Sequence, residues 1–113
     1  MAFQKSVELS NGVTLQYAEH GKPIGIPVLL LPGLGDSWRS YEPVMNHLPD
    51  SIHAIALTQR GHGDSTHPPE GYRVGHFVED LEMFLDALDI DAAVLAGHSS
   101  HGVVSARFAI EYP

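Results

Sequence analysis

Ala93-Val-Leu-Ala-Gly-His-Ser-Ser-His-Gly102 is the stretch from which the fold of this chain can be worked out. The apolar run 92–96 predicts a buried strand, and the run 103–110 predicts a helix. Ser99 lies between them, on a sharp turn that leads from the strand into the helix. Gly97 suits such a turn because a Cβ there would clash, and the helix N-terminus directs unpaired N–H groups at any charge that forms nearby. Ser99 is therefore the candidate nucleophile.

Three stretches, taken in chain order, resemble the α/β-hydrolase superfamily. Residues 97–99, Gly-His-Ser, look like the family's Gly-His-Ser-x-Gly-Gly elbow. The upstream stretch 29–37, Leu-Leu-Leu-Pro-Gly-Leu-Gly-Asp-Ser, and the stretch 59–65, Gln-Arg-Gly-His-Gly-Asp-Ser, match two further family loops. The resemblance implies an incomplete α/β-hydrolase fold, in which an N-terminal hairpin precedes a mostly parallel sheet of strand order 1-2-4-3-5 with flanking helices.

The resemblance also implies a domain assignment, in which residues 1–113 are the N-terminal part of a single α/β-hydrolase domain, truncated after the elbow helix. In the family, the acid and the histidine that activate the serine follow the elbow in the chain. Both would lie after Pro113, so we expect the fragment alone to be inactive. The fifth strand would then be an open sheet edge, through which we expect self-association.

The elbow departs from the family pattern two residues after the nucleophile, where the family has glycine and this chain has His101. Alternatively, Ser100 could be the nucleophile. It has Gly102 two residues after it, but His98 instead of a glycine two residues before it. Ser99 keeps a glycine at minus two and the family's His-Ser pair. We therefore favour Ser99 as the nucleophile and retain Ser100 as the alternative.

The loop after the apolar run 28–31 is the second part of the candidate site. Gly33 and Gly35 let its backbone approach a ligand closely, although the same glycines suit an ordinary tight loop. By resemblance to the family, the N–H groups of Leu34 and Ser100 would hold the oxyanion of a tetrahedral transition state. The residues predicted to shape the elbow and this loop are Gly33, Gly35, Gly97, His98 and Gly102.

The implied activity is hydrolysis of a carboxylic ester or a related acyl substrate through an acyl-enzyme, with a small-molecule substrate and no cofactor. Serine rather than aspartate at the elbow argues against the dehalogenase and epoxide-hydrolase branches of the family. Two alternatives stay open. The chain could be a non-catalytic relative that binds a ligand or needs a partner, or Ser99 could simply cap the following helix.

Composition limits the remaining classes of function. The net charge of −8 over 113 residues argues against nucleic acid or an anionic membrane as a partner. The absence of cysteine excludes disulfides, thiol catalysis and thiolate metal sites. No metal is expected at His62, Asp64 and His67, because a glycine-rich turn explains that loop and no fourth ligand is spaced nearby. Residues 1–6 contain no apolar signal core and no apolar run could span a bilayer, so a cytoplasmic protein is expected.

The rest of the chain predicts the elements that surround this site. Residues 6–9 and 13–17 alternate around Asn11-Gly12 and predict a hairpin. A helix is predicted from Asp36 or Ser37 to Leu48, a strand over 52–57 and a polar loop over 58–72. Apolar residues spaced by three and four predict an amphipathic helix over 73–88. Its acidic residues are expected on the solvent side (Glu79, Asp80, Glu82, Asp86).

Overall fold

A computed structural model describes residues 4–113, so part of the N-terminal segment discussed above lies outside the described residues. Five strands form one sheet: β1 (Gln4–Glu8), β2 (Thr14–His20), β3 (Ile26–Leu31), β4 (Ile52–Thr58) and β5 (Val94–Gly97). Their order is β1-β2-β4-β3-β5. The β1–β2 and β2–β4 pairs are antiparallel, whereas β3 pairs in parallel with both β4 and β5. The predicted fold class and strand order are confirmed.

The predicted N-terminal hairpin forms around the Asn11-Gly12 turn. The N–H of Leu9 donates to the carbonyl of Val13 at 2.8 Å, and the N–H of Val13 donates to the side-chain oxygen of Asn11 at 3.0 Å. Gly12 has a φ of +85°, a conformation that residues with a Cβ rarely adopt. The turn therefore depends on the two residues that identified it in the sequence.

Helices cover both faces of the sheet, and one of them is shorter than predicted. A 3-10 turn (Trp38–Tyr41) leads into α1 (Glu42–Met45), whereas the sequence predicted one helix extending to Leu48. Pro43 has no N–H to continue the hydrogen bonding of the 3-10 turn, which separates the turn from α1. After Met45 the chain continues in turns, in which the N–H groups of His47 and Leu48 donate to the carbonyls of Val44 and Met45. Ser37 caps the turn by accepting a hydrogen bond from the N–H of Arg39 at 3.3 Å.

The two long helices form as predicted and enclose the larger part of the core. They are α2 (Val74–Ala87) and α3 (Ser100–Glu111). Both pack on one face of the sheet, whose buried residues include Leu29, Leu31, Ile55 and Leu57. The opposite face is covered by the 3-10 turn and α1, with Trp38 fully buried there. None of the helices within residues 4–113 is long and apolar enough to cross a membrane.

The expectation that all four acidic residues of α2 face solvent is wrong for Asp80, which is 0% exposed. Its two carboxylate oxygens each accept a hydrogen bond from the guanidinium of Arg60, both at 2.7 Å. Asn11 donates a further bond to the same carboxylate at 3.1 Å, and Arg60 also donates to the carbonyl of Gly71 at 2.8 Å. Apolar periodicity placed Asp80 correctly on the helix but could not show that a buried cation lies opposite it.

The strand that ends in the elbow lies at the edge of the sheet. It was predicted as a buried strand over 92–96, but β5 is shorter and Val94 is 54% exposed. The reason is that β5 pairs with β3 on one side and with no strand of residues 4–113 on the other. A cleft of about 710 Å³ adjoins this edge, and its lining combines apolar side chains such as Leu95 and Phe108 with the carboxylates of Glu82, Asp86 and Asp91.

Candidate active site

Ser99 has a strained backbone, with φ +57° and ψ −123°, between the end of β5 and the start of α3. Among residues 4–113, Asp89 is the other non-glycine residue with a positive φ. Such conformations cost about 1–3 kcal/mol and persist where the surrounding structure enforces them. Ser100, the alternative nucleophile of the sequence analysis, is instead the first residue of the helix. The sharp turn predicted between strand and helix is therefore centred on Ser99.

Packing at Gly97 explains why the turn needs a glycine there. A Cβ on Gly97 would collide with the carbonyl oxygen of His101 and with the side-chain oxygen of Ser105. A Cβ on Gly102 would meet nothing closer than the carbonyl oxygen of Gly97, at an ordinary 3.7 Å. The glycine at minus two from Ser99 is thus required by close packing, whereas Gly102 is not.

Replacing Gly97 with alanine is expected to lower the free energy of unfolding by about 2–3 kcal/mol, because the new methyl group overpacks the first turn of α3. Replacing Gly102 with alanine is the matched control. It adds the same methyl group inside the helix and is expected to raise stability by about 0.5–1 kcal/mol. Urea unfolding of both variants measures the difference, and equal losses would contradict the steric argument.

The glycine loop after β3 comes against the elbow. A Cβ built on Gly33 would lie 2.9 Å from Nδ1 of His98 and 3.4 Å from Cβ of Ser99. Gly35 has a φ of +84°, with open space where a Cβ would be. Within residues 4–113, the backbone N–H groups of Leu34 and Ser100 donate no hydrogen bond. Two free N–H groups are thus available beside the strained serine.

A cleft of about 530 Å³ lies between this loop, the elbow helix and α2. Both Leu34 and Ser100 line it, whereas Ser99 is not among its lining residues. The walls are mostly apolar or aromatic and also include two imidazoles (Leu34, Gly35, Gly61, His62, Tyr72, Val74, Phe77, Ser100, His101, Val104). The volume is within the range of small-molecule sites.

His101, which replaces the family's glycine, is 2% exposed and lines this cleft. Its ring packs edge-on against Phe77, with centroids 5.2 Å apart, and against His62, at 6.3 Å. Its Nδ1 lies 3.4 Å from Oγ of Ser100, and its Nε2 is buried without a hydrogen-bond partner in the described part of the chain. Burial lowers the pKa of His101 to about 4, helped by the nearby charge of His62. The sequence marked position 101 as a departure but gave no sign of this burial.

The free energy of unfolding is expected to fall as the pH drops from about 6.5 towards 4, partly because of His101. The unfolded state binds a proton with an ordinary pKa near 6.5, whereas the folded state resists protonation until about pH 4. Above about pH 6.5, His101 leaves the free energy of unfolding unchanged. At pH 4, it lowers the free energy of unfolding by about 3 kcal/mol. Urea unfolding at several pH values, with His101→Phe as the comparison, measures it. Parallel curves for the two proteins would contradict the prediction.

No histidine or carboxylate within residues 4–113 is hydrogen-bonded to the Ser99 hydroxyl. His62 lies against His101, with its Nδ1 bonded to the carbonyl of Arg60 at 2.9 Å. His67 bonds to the carbonyl of Gly63. Across the same described range, no group of three potential ligand side chains is close enough to hold a metal ion.

Ser99 thus lies at a strained strand-to-helix turn, at the carboxyl ends of parallel strands and beside two free N–H groups, in a sheet that has helices on both faces. Comparison with known proteins identifies the class of this fold. The family model described as "alpha/beta hydrolase fold" matches residues 26–113, and the chain belongs to that family.

Among the individual relatives are two kinds of named hydrolase. Over 109 residues the chain is 30% identical to epoxide hydrolase 2 of Caenorhabditis elegans, covering 94% of this chain and 30% of that protein. It is 34% identical over 101 residues to 2-(acetamidomethylene)succinate hydrolase of Mesorhizobium japonicum, covering 89% of this chain and 36% of that protein. The chain therefore spans about a third of the length of these curated relatives.

Solved structures of the same two kinds superpose closely. Epoxide hydrolase A from Mycobacterium thermoresistibile gives a TM-score of 0.91 at 30% identity, covering 100% of this chain and 36% of that one. An E-2-(acetamidomethylene)succinate hydrolase gives 0.90 at 31% identity, covering 100% of this chain and 41% of that one. These similarities establish the α/β-hydrolase fold. They do not distinguish between the two types of reaction, which must be inferred from the residues of the site.

Proposed function

We propose that these residues carry the nucleophile and oxyanion hole of a serine hydrolase that acts on a carboxylic ester or a related acyl substrate. The observation that carries the proposal is the strained backbone of Ser99, which holds this serine at the turn between β5 and α3. The free N–H groups of Leu34 and Ser100 support it, because two backbone donors are what a developing oxyanion needs.

In the proposed reaction, Oγ of Ser99 attacks the substrate carbonyl carbon and loses its proton to a general base. The carbonyl oxygen becomes an oxyanion held by the two N–H groups. The ester C–O bond then breaks, and the alcohol leaves with the proton returned by the base. Water adds to the acyl-enzyme by the same steps in reverse, which releases the acid and restores the serine.

The general base and its orienting acid are proposed to come from sequence outside these 113 residues, in the same polypeptide or in a partner. The support is that the described residues place neither beside Ser99, while the curated relatives are about three times as long as the matched part. A serine without a base is a weak nucleophile, so we propose that the 113 residues alone are inactive.

The residue at position 99 favours acyl hydrolysis over epoxide opening. Relatives named epoxide hydrolases and relatives named succinate hydrolases match the chain equally well, so overall identity does not separate the two reactions. The epoxide-hydrolase branch of the family would have an aspartate at the elbow. This chain has a serine there, which supports an acyl-enzyme.

A cytoplasmic location stays a prediction from the sequence.

A fluorophosphonate probe tests the proposal on the natural polypeptide that contains this sequence. The probe forms a stable phosphonate ester with an activated serine and releases fluoride. Peptide mapping by mass spectrometry is expected to place the label on Ser99, with none on Ser100. A label on Ser100, or no label on a folded protein, would overturn the assignment.

A non-catalytic binding protein is the second candidate, favoured by the isolated hydroxyl of Ser99 and by His101 in the glycine position of the elbow. The same probe separates the two functions, because an elbow that only binds a ligand leaves the serine unlabelled. A folded, unlabelled protein that still binds small molecules in the cleft would establish this alternative.

The 113-residue chain by itself is proposed to self-associate through β5. A strand edge that lacks a partner within residues 4–113, with Val94 exposed beside it, is the kind of surface that pairs with another chain. Sedimentation velocity of the isolated chain over a range of concentrations is expected to show a rising mean mass. Val94→Lys, which puts a charge on the edge, should reduce it, and a monomer at every concentration would contradict the proposal.

A further inference from the structure

Tyr72 lies between two depressions of different chemistry. It lines the cleft beside the elbow, whose other apolar side chains are Leu34, Val74, Phe77 and Val104. It also lines a polar groove, together with Arg60, Glu70, Gly71, Arg73 and His76. A residue shared by two neighbouring depressions stands between them, so the extent of the cleft depends on Tyr72.

Three contacts hold the ring of Tyr72 in place. The ring lies against the backbone of Gly61, where an added Cβ would be 2.8 Å from the hydroxyl oxygen and 3.0 Å from Cζ. It packs at a tilt on the ring of Phe77, with centroids 6.3 Å apart. Its hydroxyl donates a hydrogen bond to the carbonyl of Pro68 at 2.6 Å. Since Gly61 and Phe77 both line the cleft, the ring itself forms part of the wall.

A row of side chains places this ring at the end of the cleft away from the elbow. Ser100, next to the candidate nucleophile, has its hydroxyl 3.4 Å from Nδ1 of His101. The ring of His101 packs edge-on against Phe77 at 5.2 Å, and Phe77 in turn packs against Tyr72. Two rings therefore separate Tyr72 from the elbow, and the cleft extends from Leu34 and Ser100 towards it.

The groove beyond the ring is unfavourable for an apolar group. Its lining includes the guanidinium groups of Arg60 and Arg73 and the carboxylate of Glu70. Displacing the water that hydrates such groups has a cost in free energy that an alkyl chain does not offset. An aliphatic group that enters the cleft from the elbow therefore gains free energy for each methylene it buries only as far as the ring of Tyr72.

We propose that Tyr72 is a specificity-determining residue, whose ring closes the far end of the cleft and limits the length of the apolar substrate group that the cleft accepts. The substrates would be esters or related acyl compounds with a short, uncharged aliphatic group next to the reacting carbonyl. The inference rests on the proposed function for the place of that carbonyl, beside the N–H groups of Leu34 and Ser100. The length limit itself can be measured as binding, without any reaction.

A series of methyl ketones of increasing length, from butan-2-one to nonan-2-one, tests the limit on the natural polypeptide. Their carbonyl oxygen can accept from the two N–H groups, while the alkyl chain extends along the cleft. Affinity, measured by NMR titration, is expected to rise about fourfold for each methylene in the short ketones and then to stop rising. Affinity that rises evenly through the whole series, or no binding of any ketone to the folded protein, would overturn the inference.

Variants connect the limit to the ring. Tyr72→Ala opens the wall, so about two further methylenes are buried and the affinity of nonan-2-one relative to butan-2-one should rise about tenfold. Tyr72→Phe keeps the ring without its bond to Pro68 and should leave this ratio unchanged. Tyr72→Leu is a smaller change of volume, should give an intermediate ratio and serves as the test if the alanine variant does not fold.

Tyr112→Ala is the matched control, because Tyr112 is also partly exposed and its hydroxyl bonds to Glu82 in the cleft at the edge of β5. It should leave the ratio unchanged. The inference is overturned if Tyr72→Ala and Tyr72→Leu keep the ratio of the unsubstituted protein. Fluorophosphonate labelling of Ser99 in the same samples reports separately on the proposed function. Labelling with an unaltered ratio rejects only the length limit, whereas an altered ratio without labelling rejects only the serine chemistry.

Discussion

Asp80→Ala is expected to lower the free energy of unfolding by about 3–5 kcal/mol, because the substitution leaves the guanidinium of Arg60 buried without its counter-ion. Arg60 is 6% exposed and gives two hydrogen bonds to the Asp80 carboxylate at 2.7 Å. The same carboxylate accepts a bond from Asn11. The variant therefore loosens the hairpin turn and the loop after β4 together.

Glu79→Ala provides the matched control for this prediction. Glu79 is the preceding acidic residue of α2 and is exposed, so its loss should change stability by less than about 0.5 kcal/mol. Asp80→Asn should be intermediate, since an amide still accepts a hydrogen bond but no longer balances the guanidinium charge. Chemical denaturation of the natural polypeptide measures all three. Similar losses for Asp80→Ala and Glu79→Ala would show that the buried pair contributes little.

The largest effect on activity is expected for Ser99→Ala, which should reduce kcat for ester hydrolysis by about 10⁵-fold and abolish fluorophosphonate labelling. The reason is that, in the proposed mechanism, the acyl-enzyme forms through the hydroxyl that the substitution removes. Alanine keeps the Cβ at this strained backbone position and the backbone donors stay in place, so stability should hardly change. Initial rates with a nitrophenyl ester, together with thermal unfolding, measure both quantities.

Two further serine variants make that result specific. Ser100→Ala keeps the backbone N–H proposed for the oxyanion hole and should lower kcat by no more than about tenfold, because its hydroxyl contacts His101 rather than the substrate carbonyl. Ser40→Ala removes an exposed hydroxyl that bonds to the Ser37 carbonyl and should have no effect on the rate. A loss in Ser100→Ala as large as that in Ser99→Ala would transfer the nucleophile to Ser100.

Much of the fold could be predicted because its signals are local and occur in order along the chain. Asn11-Gly12 identified the hairpin, and the apolar periodicity of residues 74–87 identified α2. The strand order came from the resemblance of three loops to a family and is confirmed. The predicted length of α1 was wrong at its C-terminal end, because the N–H groups of His47 and Leu48 donate to the carbonyls of Val44 and Met45 in turns of the i→i+3 type instead of continuing the α-helix.

The site was predictable at its backbone and less so at its side chains. Position 99 was identified by its place between a strand and a helix, and its strained dihedrals agree with that place. The Arg60–Asp80 pair was not foreseen, since a charged residue in an amphipathic helix is ordinarily solvated. The burial of His101 was not foreseen either, because it arises from Phe77 and His62, which are distant in the chain. Such contacts exist only after tertiary packing.

The dihedrals of Ser99 also bear on how this sequence is constrained by selection. Glycine adopts a positive φ without the cost that a Cβ imposes, so Ser99→Gly should make the folded protein more stable by about 1 kcal/mol while removing the nucleophile. Selection for stability alone would therefore replace this serine. In the proposed chemistry, a serine at this position is a trade-off in which a less favourable backbone conformation is accepted for the sake of turnover.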